Sequence, residues 1–204
     1  MGAFNPAIVT PDWLLSKQLI DEQDRSYVLQ DGEDRFITSS VFSGGRYAWV
    51  TLEFSRESLH IQSTSETETG ERVRELAVGL LAALPETPVG RVHLSHFMFL
   101  TLNQEQTDRL TATLAPVGPI LEHFRDAQFE AVEYRSTRER GYADLLVEPS
   151  HRDGYQLYVE YERVWELADP PGVDPAVAVE VLDGEWEATQ AEASAIVNHL
   201  IHLA

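Results

Sequence analysis

The chain has 204 residues, of which 43% are hydrophobic and 24% charged, and its formal charge is −19. So acidic a chain lacks the cationic surface that releases counterions from nucleic acids, which excludes direct nucleic-acid binding. It has no cysteine, which excludes disulfides, thiolate nucleophiles and cysteine-ligated zinc. With no signal-peptide pattern and no apolar run long enough to cross a bilayer, we expect a cytoplasmic protein without membrane contact.

The negative charge is concentrated in the second half of the chain. Residues 103–204 carry a net charge of −13, against −6 for residues 1–102. No lysine or arginine follows Arg163, whereas eight carboxylates do: Glu166, Asp169, Asp174, Glu180, Asp183, Glu185, Glu187 and Glu192. This asymmetry favours high solubility or a basic protein partner.

The first regular elements predicted are three strands. Residues 1–35 contain turn signals and many acidic residues, and we expect them to form an N-terminal extension. A strand over 36–43, a tight turn at Gly44-Gly45 and a partner strand over Tyr47–Phe54 form a predicted hairpin. A third strand follows over Leu59–Thr64.

A change in hydrophobic period marks the first predicted helix. Apolar residues within 71–84 recur at helical spacing and form one stripe, and Pro85 and Pro88 end the helix. Alternation returns over Arg91–Leu102. Both faces of that strand are largely apolar, which predicts a central strand covered on both sides.

The remaining elements continue the mixed pattern. Asn103 and Gln106 form a predicted capping box at the start of a helix that ends near Ala115. A short turn over 120–124, strands over 128–135, 142–148 and 155–164, and a linker over 169–172 follow. Asp174-Pro175 then predicts the start of a helix that extends to about Leu203.

This order of elements predicts an α+β fold. About three helices are expected to pack on a mainly antiparallel sheet, with a split β-α-β (ferredoxin-like) core and extra strands. We expect a single domain over 1–204, in which 1–35 is the N-terminal extension and 174–203 the C-terminal helix.

The sequence contains no recognisable catalytic, cofactor or metal motif. There is no GxSxG elbow and no phosphate-binding loop, and Lys17 is the single lysine. His93 and His96 point to opposite faces of their strand, and His96 is predicted to be a hydrogen-bonded core residue. His199 and His202 share a helical face, but no third ligand is near in sequence. We therefore predict no catalytic residue, no cofactor and no metal.

One cationic cluster lies at a predicted hairpin tip. It consists of Arg135, Arg138 and Arg140. These arginines are expected to pair with Glu133 and Glu139, although they also suit a bound carboxylate or phosphate.

Three groups of residues resemble a family of uncharacterised bacterial proteins of about this length. They are Ile8-Val9-Thr10-Pro11-Asp12-Trp13, Thr67 through Leu84 with Thr87-Pro88-Val89, and Leu114-Ala115-Pro116 followed by Val147-Glu148-Pro149-Ser150. The resemblance implies a single-domain cytoplasmic bacterial protein. It implies no catalytic residues, because no activity is assigned to that family.

These features favour a non-catalytic, acidic protein-interaction module that forms homo-oligomers. The predicted interface is Glu180, Glu185, Trp186 and Glu187, facing a basic protein partner.

Two alternatives stay open at this point. One is a small-molecule-binding protein or an enzyme of unknown reaction, with a pocket near His93, Tyr134 and Glu148. The other is an acidic mimic of DNA that inhibits a nuclease or a repressor.

Overall fold

The computed structural model describes residues 5–28, 36–63, 70–114, 130–152, 154, 156–168 and 172–204. It confirms an α+β fold with antiparallel sheets. The predicted turn at 120–124 and most of the linker over 169–172 lie outside these residues.

Within the described residues the chain forms five α-helices and eight strands. The helices are α1 (Pro11–Ser16), α2 (Glu22–Val28), α3 (Gly70–Ala83), α4 (Gln104–Leu114) and α5 (Pro175–Leu203). The strands are β1 (Phe36–Thr38), β2 (Phe42–Arg46), β3 (Val50–Ser55), β4 (Leu59–Ser63), β5 (Arg91–Leu100), β6 (Val132–Arg138), β7 (Gly141–Pro149) and β8 (Leu157–Glu166).

The strands form two four-stranded sheets, in the orders β1-β2-β3-β4 and β5-β8-β7-β6. The chain divides accordingly into two compact units, residues 1–92 with 167–184 and residues 93–166 with 185–204. Each unit has its own sheet.

The predicted split β-α-β core is not the arrangement of these strands. Such a core places one strand between the two strands that a helix connects. In the second sheet, β5 and β6 are connected through α4 but have two strands, β7 and β8, between them. The strands β6, β7 and β8 follow one another in the chain and pair antiparallel in that order, which leaves β8 as the neighbour of β5.

In the first unit, the N-terminal residues belong to the core and are not an extension of it. Val9, Leu14, Ile20 and Val28 are buried in one cluster with residues of β3 and α3. The helix α1 begins at a Thr10 cap, whose Oγ1 accepts a hydrogen bond from the Trp13 N–H at 3.2 Å. The sequence therefore contained a helix start that the extension prediction did not use.

The predicted hairpin turn at Gly44-Gly45 was wrong, because both glycines lie inside β2. Gly44 pairs with Glu53, and the connection to β3 comes after Arg46. A Cβ atom at Gly44 would lie 2.7 Å from the Leu52 carbonyl oxygen and 2.9 Å from the Phe42 ring. Glycine is needed here for close packing within the sheet and not for a turn.

In the second unit, one face of the sheet is covered by helices. Leu157 and Val159 of β8 and Val147 of β7 form a buried cluster with Leu110 of α4 and Leu200 of α5.

Two predicted helix starts are confirmed. The capping box is closed by hydrogen bonds from the Gln106 N–H to Asn103 Oδ1 at 2.9 Å and from the Asn103 N–H to Gln106 Oε1 at 3.1 Å.

The second confirmed start is that of α5. The Ala176 N–H donates to Asp174 Oδ1 at 2.8 Å, with Pro175 as the first helical residue. Further along this helix, Glu192 accepts hydrogen bonds from the Tyr161 hydroxyl at 2.6 Å and from Arg138 at 2.5 Å. Burial and the bond to Glu192 raise the pKa of Tyr161 to about 12. These two bonds attach the helix to β8 and β6.

The strand β5 is an edge strand, whereas the sequence predicted a central one. Its inner side chains, among them Leu94 and Leu100, are buried as predicted. On the other face Phe97 is 41% exposed. The prediction failed because apolar residues on both faces are also compatible with an edge strand whose outer face carries exposed aromatic rings.

His96 was predicted to be hydrogen-bonded, but its Nε2 atom is buried without a hydrogen-bond partner among the described residues. The ring contacts Trp186 edge-on, with 6.5 Å between the ring centroids. Burial lowers the pKa of His96 below its ordinary value. The side chain is therefore neutral in the folded state at neutral pH.

Acidification is expected to destabilise the fold through His96. Below about pH 6.5 the unfolded chain binds a proton at this histidine while the folded chain resists it, so stability falls until the lower folded pKa is passed. Each pKa unit by which the folded value lies below the unfolded value lowers the free energy of unfolding by about 1.4 kcal/mol. Urea unfolding between about pH 8 and pH 5 measures this loss of stability. In His96→Phe the loss of stability on acidification should be smaller than in the parent chain. The exposed His199, changed to Phe, is the control; equal pH dependence in both variants contradicts this assignment.

Candidate functional site

The outer face of the second sheet, opposite the helices, carries the candidate site. Along β8 the side chains alternate: Leu157, Val159 and Tyr161 are buried, and Tyr158, Glu160 and Glu162 point to the other face. The strands β5 and β7, on either side of β8, add further outward side chains. Strand alternation alone thus places aromatic and acidic residues on one face of the sheet.

Three aromatic rings cluster on this face. The ring centroids of Phe97 and Tyr158 are 6.5 Å apart in a stacked arrangement. Those of Phe99 and Tyr158 are 5.4 Å apart, and Phe97 contacts Phe99 edge-on at 6.5 Å. Of these rings Phe97 is exposed, whereas Phe99 and Tyr158 are half buried. An exposed aromatic ring supported by two others is a candidate contact surface.

Carboxylates lie on the same face as these rings. Glu160 accepts a hydrogen bond from the Tyr158 hydroxyl at 2.9 Å, and Glu148 lies directly across from Tyr158 on β7. Burial, followed by the bond to Glu160, raises the pKa of Tyr158, so the phenol stays protonated. Glu162 contacts His93 Nδ1 at 2.9 Å. We call this set the aromatic–acidic surface: His93, Phe97, Phe99, Glu148, Tyr158, Glu160 and Glu162.

The same sheet face already holds two arginine side chains of this chain. The guanidinium of Arg152 lies 5.0 Å from the centroid of the Phe99 ring. That of Arg135 lies 4.1 Å from the Tyr142 ring and donates two hydrogen bonds to Asp144, at 2.7 and 2.6 Å. These bonds lower the pKa of Asp144. Aromatic rings and carboxylates of this face thus bind guanidinium groups in the folded chain.

A shallow cleft of about 520 Å³ lies beside the aromatic rings on the same face, and its walls are rich in charge. It is lined by Glu133, Tyr134, Arg135, Asp144, Leu145, Leu146, Glu160 and Glu162. Acidic side chains outnumber the single arginine of this lining, so the cleft favours cationic ligands. The described residues contain no group of three side chains placed to hold a metal ion.

Of the three residues predicted to form a pocket, Tyr134 lines the cleft, and His93 and Glu148 are not part of its lining. His93 and Glu148 both belong to the aromatic–acidic surface, on β5 and β7. Tyr134 lies on the opposite edge strand, β6, where its hydroxyl donates to the Leu114 carbonyl at 3.1 Å at the end of α4. The sequence spacing could not indicate that β6 and β5 lie at opposite edges of the sheet.

The predicted interface on α5 is only partly available. Trp186 is 8% exposed and packs against His96, so its indole ring cannot anchor a partner. Glu180, Glu185 and Glu187 are exposed.

The acidic C-terminal region is partly neutralised within the chain. Arg74 pairs with Asp183 at 3.3 Å and Arg138 with Glu192 at 2.5 Å. The predicted pairing of the arginine cluster with Glu133 and Glu139 was therefore wrong for Arg138. It was also wrong for Arg135, whose partner is Asp144. Cross-strand and helix contacts, which sequence distance does not reveal, supply these partners.

Sequence reasoning missed the aromatic residues Phe97, Phe99 and Tyr158 as a group. One signal was present: Tyr158, Glu160 and Glu162 are spaced by two along a strand, which puts them on one face. The pairing of β8 with β5, which brings the phenylalanines to them, had no local signal.

Comparisons with protein-family models, curated proteins and solved structures gave no match. In the part of the chain that the structure describes, no helix combines the length and apolar character needed to span a membrane. The resemblance to a bacterial family stays a prediction.

Proposed function

We propose that this protein is a non-catalytic interaction module whose aromatic–acidic surface binds an arginine-containing segment of a basic protein partner. The observation that carries the proposal is the aromatic cluster of Phe97, Phe99 and Tyr158 bordered by carboxylates. A guanidinium group can stack on such a ring while its N–H groups donate to a neighbouring carboxylate. The contacts of Arg135 with Tyr142 and Asp144 are an example of this geometry within the chain.

The charge of the surface supports a basic partner. Glu148, Glu160 and Glu162 lie on the same face as the exposed Phe97, and the whole chain has a formal charge of −19. A negative field of this size speeds the association of a cationic segment and disfavours acidic ones. The partner chemistry is therefore a flexible segment with several arginines.

A binding measurement with defined peptides tests this function. We expect a fluorescent peptide of alternating arginine and glycine to bind more tightly than the same peptide with lysine, because the planar guanidinium stacks on aromatic rings. Phe97→Leu and Glu162→Gln are each expected to weaken binding about two- to fivefold, the effect of one exposed cation–π contact or ion pair. Fluorescence anisotropy measures both effects.

The matched control is Glu187→Gln, which removes one exposed carboxylate on α5, outside the surface. It should bind like the parent chain. Equal affinity for the two peptides, or a loss in Glu187→Gln as large as in Glu162→Gln, contradicts a specific surface and leaves only nonspecific attraction.

A further inference from the structure

Within the described residues, the strand β6 is an edge strand of the second sheet, as β5 is on the opposite side. It pairs with β7 without interruption from Val132 to Arg138, and no other described strand pairs with its second edge. From Glu133 onward every residue of this strand is exposed. Over these seven residues it contains no proline, which would remove a hydrogen-bond donor from a pairing edge.

The charges of β6 are complementary to those of a second copy. When two identical strands pair antiparallel about a twofold axis perpendicular to the sheet, residues equally far from the axis on either side face one another. With Tyr134 on the axis, Glu133 faces Arg135 of the second copy. In the same register Glu130 faces Arg138, and each pair occurs twice.

Neighbouring registers lack this complementarity. An axis at Glu133 places this glutamate opposite itself, and an axis at Arg135 places two arginines opposite one another. Like charges directly across a strand pair are destabilising. An axis that lies between two residues is excluded as well. It would place side chains from opposite sides of the sheet across from one another, whereas facing residues must lie on the same side.

We propose that β6 is a self-association edge, through which two copies of this chain pair antiparallel about Tyr134 to form one continuous sheet. Two of the arginines are already ordered for this contact. Arg135 is held by Asp144, and Arg138 by Glu192 at 2.5 Å. Their side chains remain 64% and 40% exposed, so further N–H groups can reach a second copy. Ordering before association lowers its entropic cost. The inference does not depend on what the aromatic–acidic surface binds.

Charge reversal in two chains gives the sharpest test. Glu133→Arg places arginine opposite arginine, and Arg135→Glu places glutamate opposite glutamate. Each variant alone is expected to self-associate at least about tenfold more weakly than the parent, because attractive cross-strand pairs become repulsive. An equimolar mixture restores both pairs, so it should form a heterodimer. Sedimentation velocity over a wide concentration range measures all four samples.

The control is Glu187→Arg, which has the same change of charge at an exposed position of α5 and should dimerise like the parent. A parent chain that stays monomeric, a Glu133→Arg variant that still dimerises, or a mixture that does not pair overturns the proposal.

A second measurement needs no variant and so does not depend on how Arg135→Glu folds. Hydrogen exchange of the unmodified chain should show slower exchange in residues 132–138 at high than at low protein concentration, because pairing protects edge amides. Exchange in these residues that does not change with concentration also overturns the proposal.

Discussion

Asp24→Ala is expected to lower the free energy of unfolding by about 2 to 4 kcal/mol, the range for removing one partner from a buried charged contact. Asp24 is 5% exposed. Its Oδ1 accepts a hydrogen bond from the Trp49 indole at 3.0 Å, and its Oδ2 one from Arg72 at 2.7 Å. The Arg72 guanidinium lies 3.8 Å from the centroid of the Trp49 ring. Alanine leaves the buried indole N–H without its acceptor.

The same contacts define the controls for this variant. Asp24→Asn keeps an oxygen acceptor for the indole and removes only the charge, so its effect should be intermediate. Asp12→Ala breaks a surface ion pair with Arg25 and should change stability little, because Asp12 is largely exposed. Equilibrium urea unfolding compares the three. Equal destabilisation by Asp24→Ala and Asp12→Ala contradicts a structural role for the buried contact.

Gly141→Ala is expected to destabilise the second unit by about 2 to 4 kcal/mol, through backbone strain and overpacking together. Gly141 begins β7 with φ +119°, in the region that favours glycine. A Cβ atom there would clash with the carbonyl oxygen of Val164 on β8. Because that atom belongs to the paired backbone, relief requires the β7–β8 ladder to open.

Gly154→Ala separates strain from steric clash. Gly154 also has a positive φ, +83°, but among the described residues a Cβ atom there would meet no other atom within 4 Å. This variant should cost about 1 kcal/mol, the strain alone. Thermal unfolding followed by circular dichroism compares the two glycines. If Gly141→Ala is as stable as Gly154→Ala, the pairing of β7 with β8 accommodates the added Cβ atom without loss of stability, which contradicts this prediction.

The sequence predicted those parts of the fold that depend on local chemistry. The capping box at Asn103 and Gln106 and the start of α5 at Asp174-Pro175 are short-range hydrogen-bonding patterns, and both are confirmed. Gly44 shows where such reasoning fails. A glycine needed for close approach to another strand has the same local sequence as a glycine needed for a turn.

Strand neighbours were the part that the sequence could not supply. Alternation in β5 indicates which side chains share a face, but a central strand and an edge strand with exposed rings have the same pattern. For this reason the position of β5 was wrong. The candidate site depends on the pairing of β5 with β8, which brings Phe97 and Phe99 to Tyr158.

The strand order of the second sheet determines how the two aromatic–acidic surfaces are arranged in a dimer joined through β6. The aromatic–acidic surface is centred on β5 and β8, at the edge opposite β6. Joining two β6 edges about an axis perpendicular to the sheet leaves both surfaces on the same side, about 30 Å apart at the usual spacing of strands. A partner with two arginine-containing segments that span this distance gains avidity, whereas a single segment gains none.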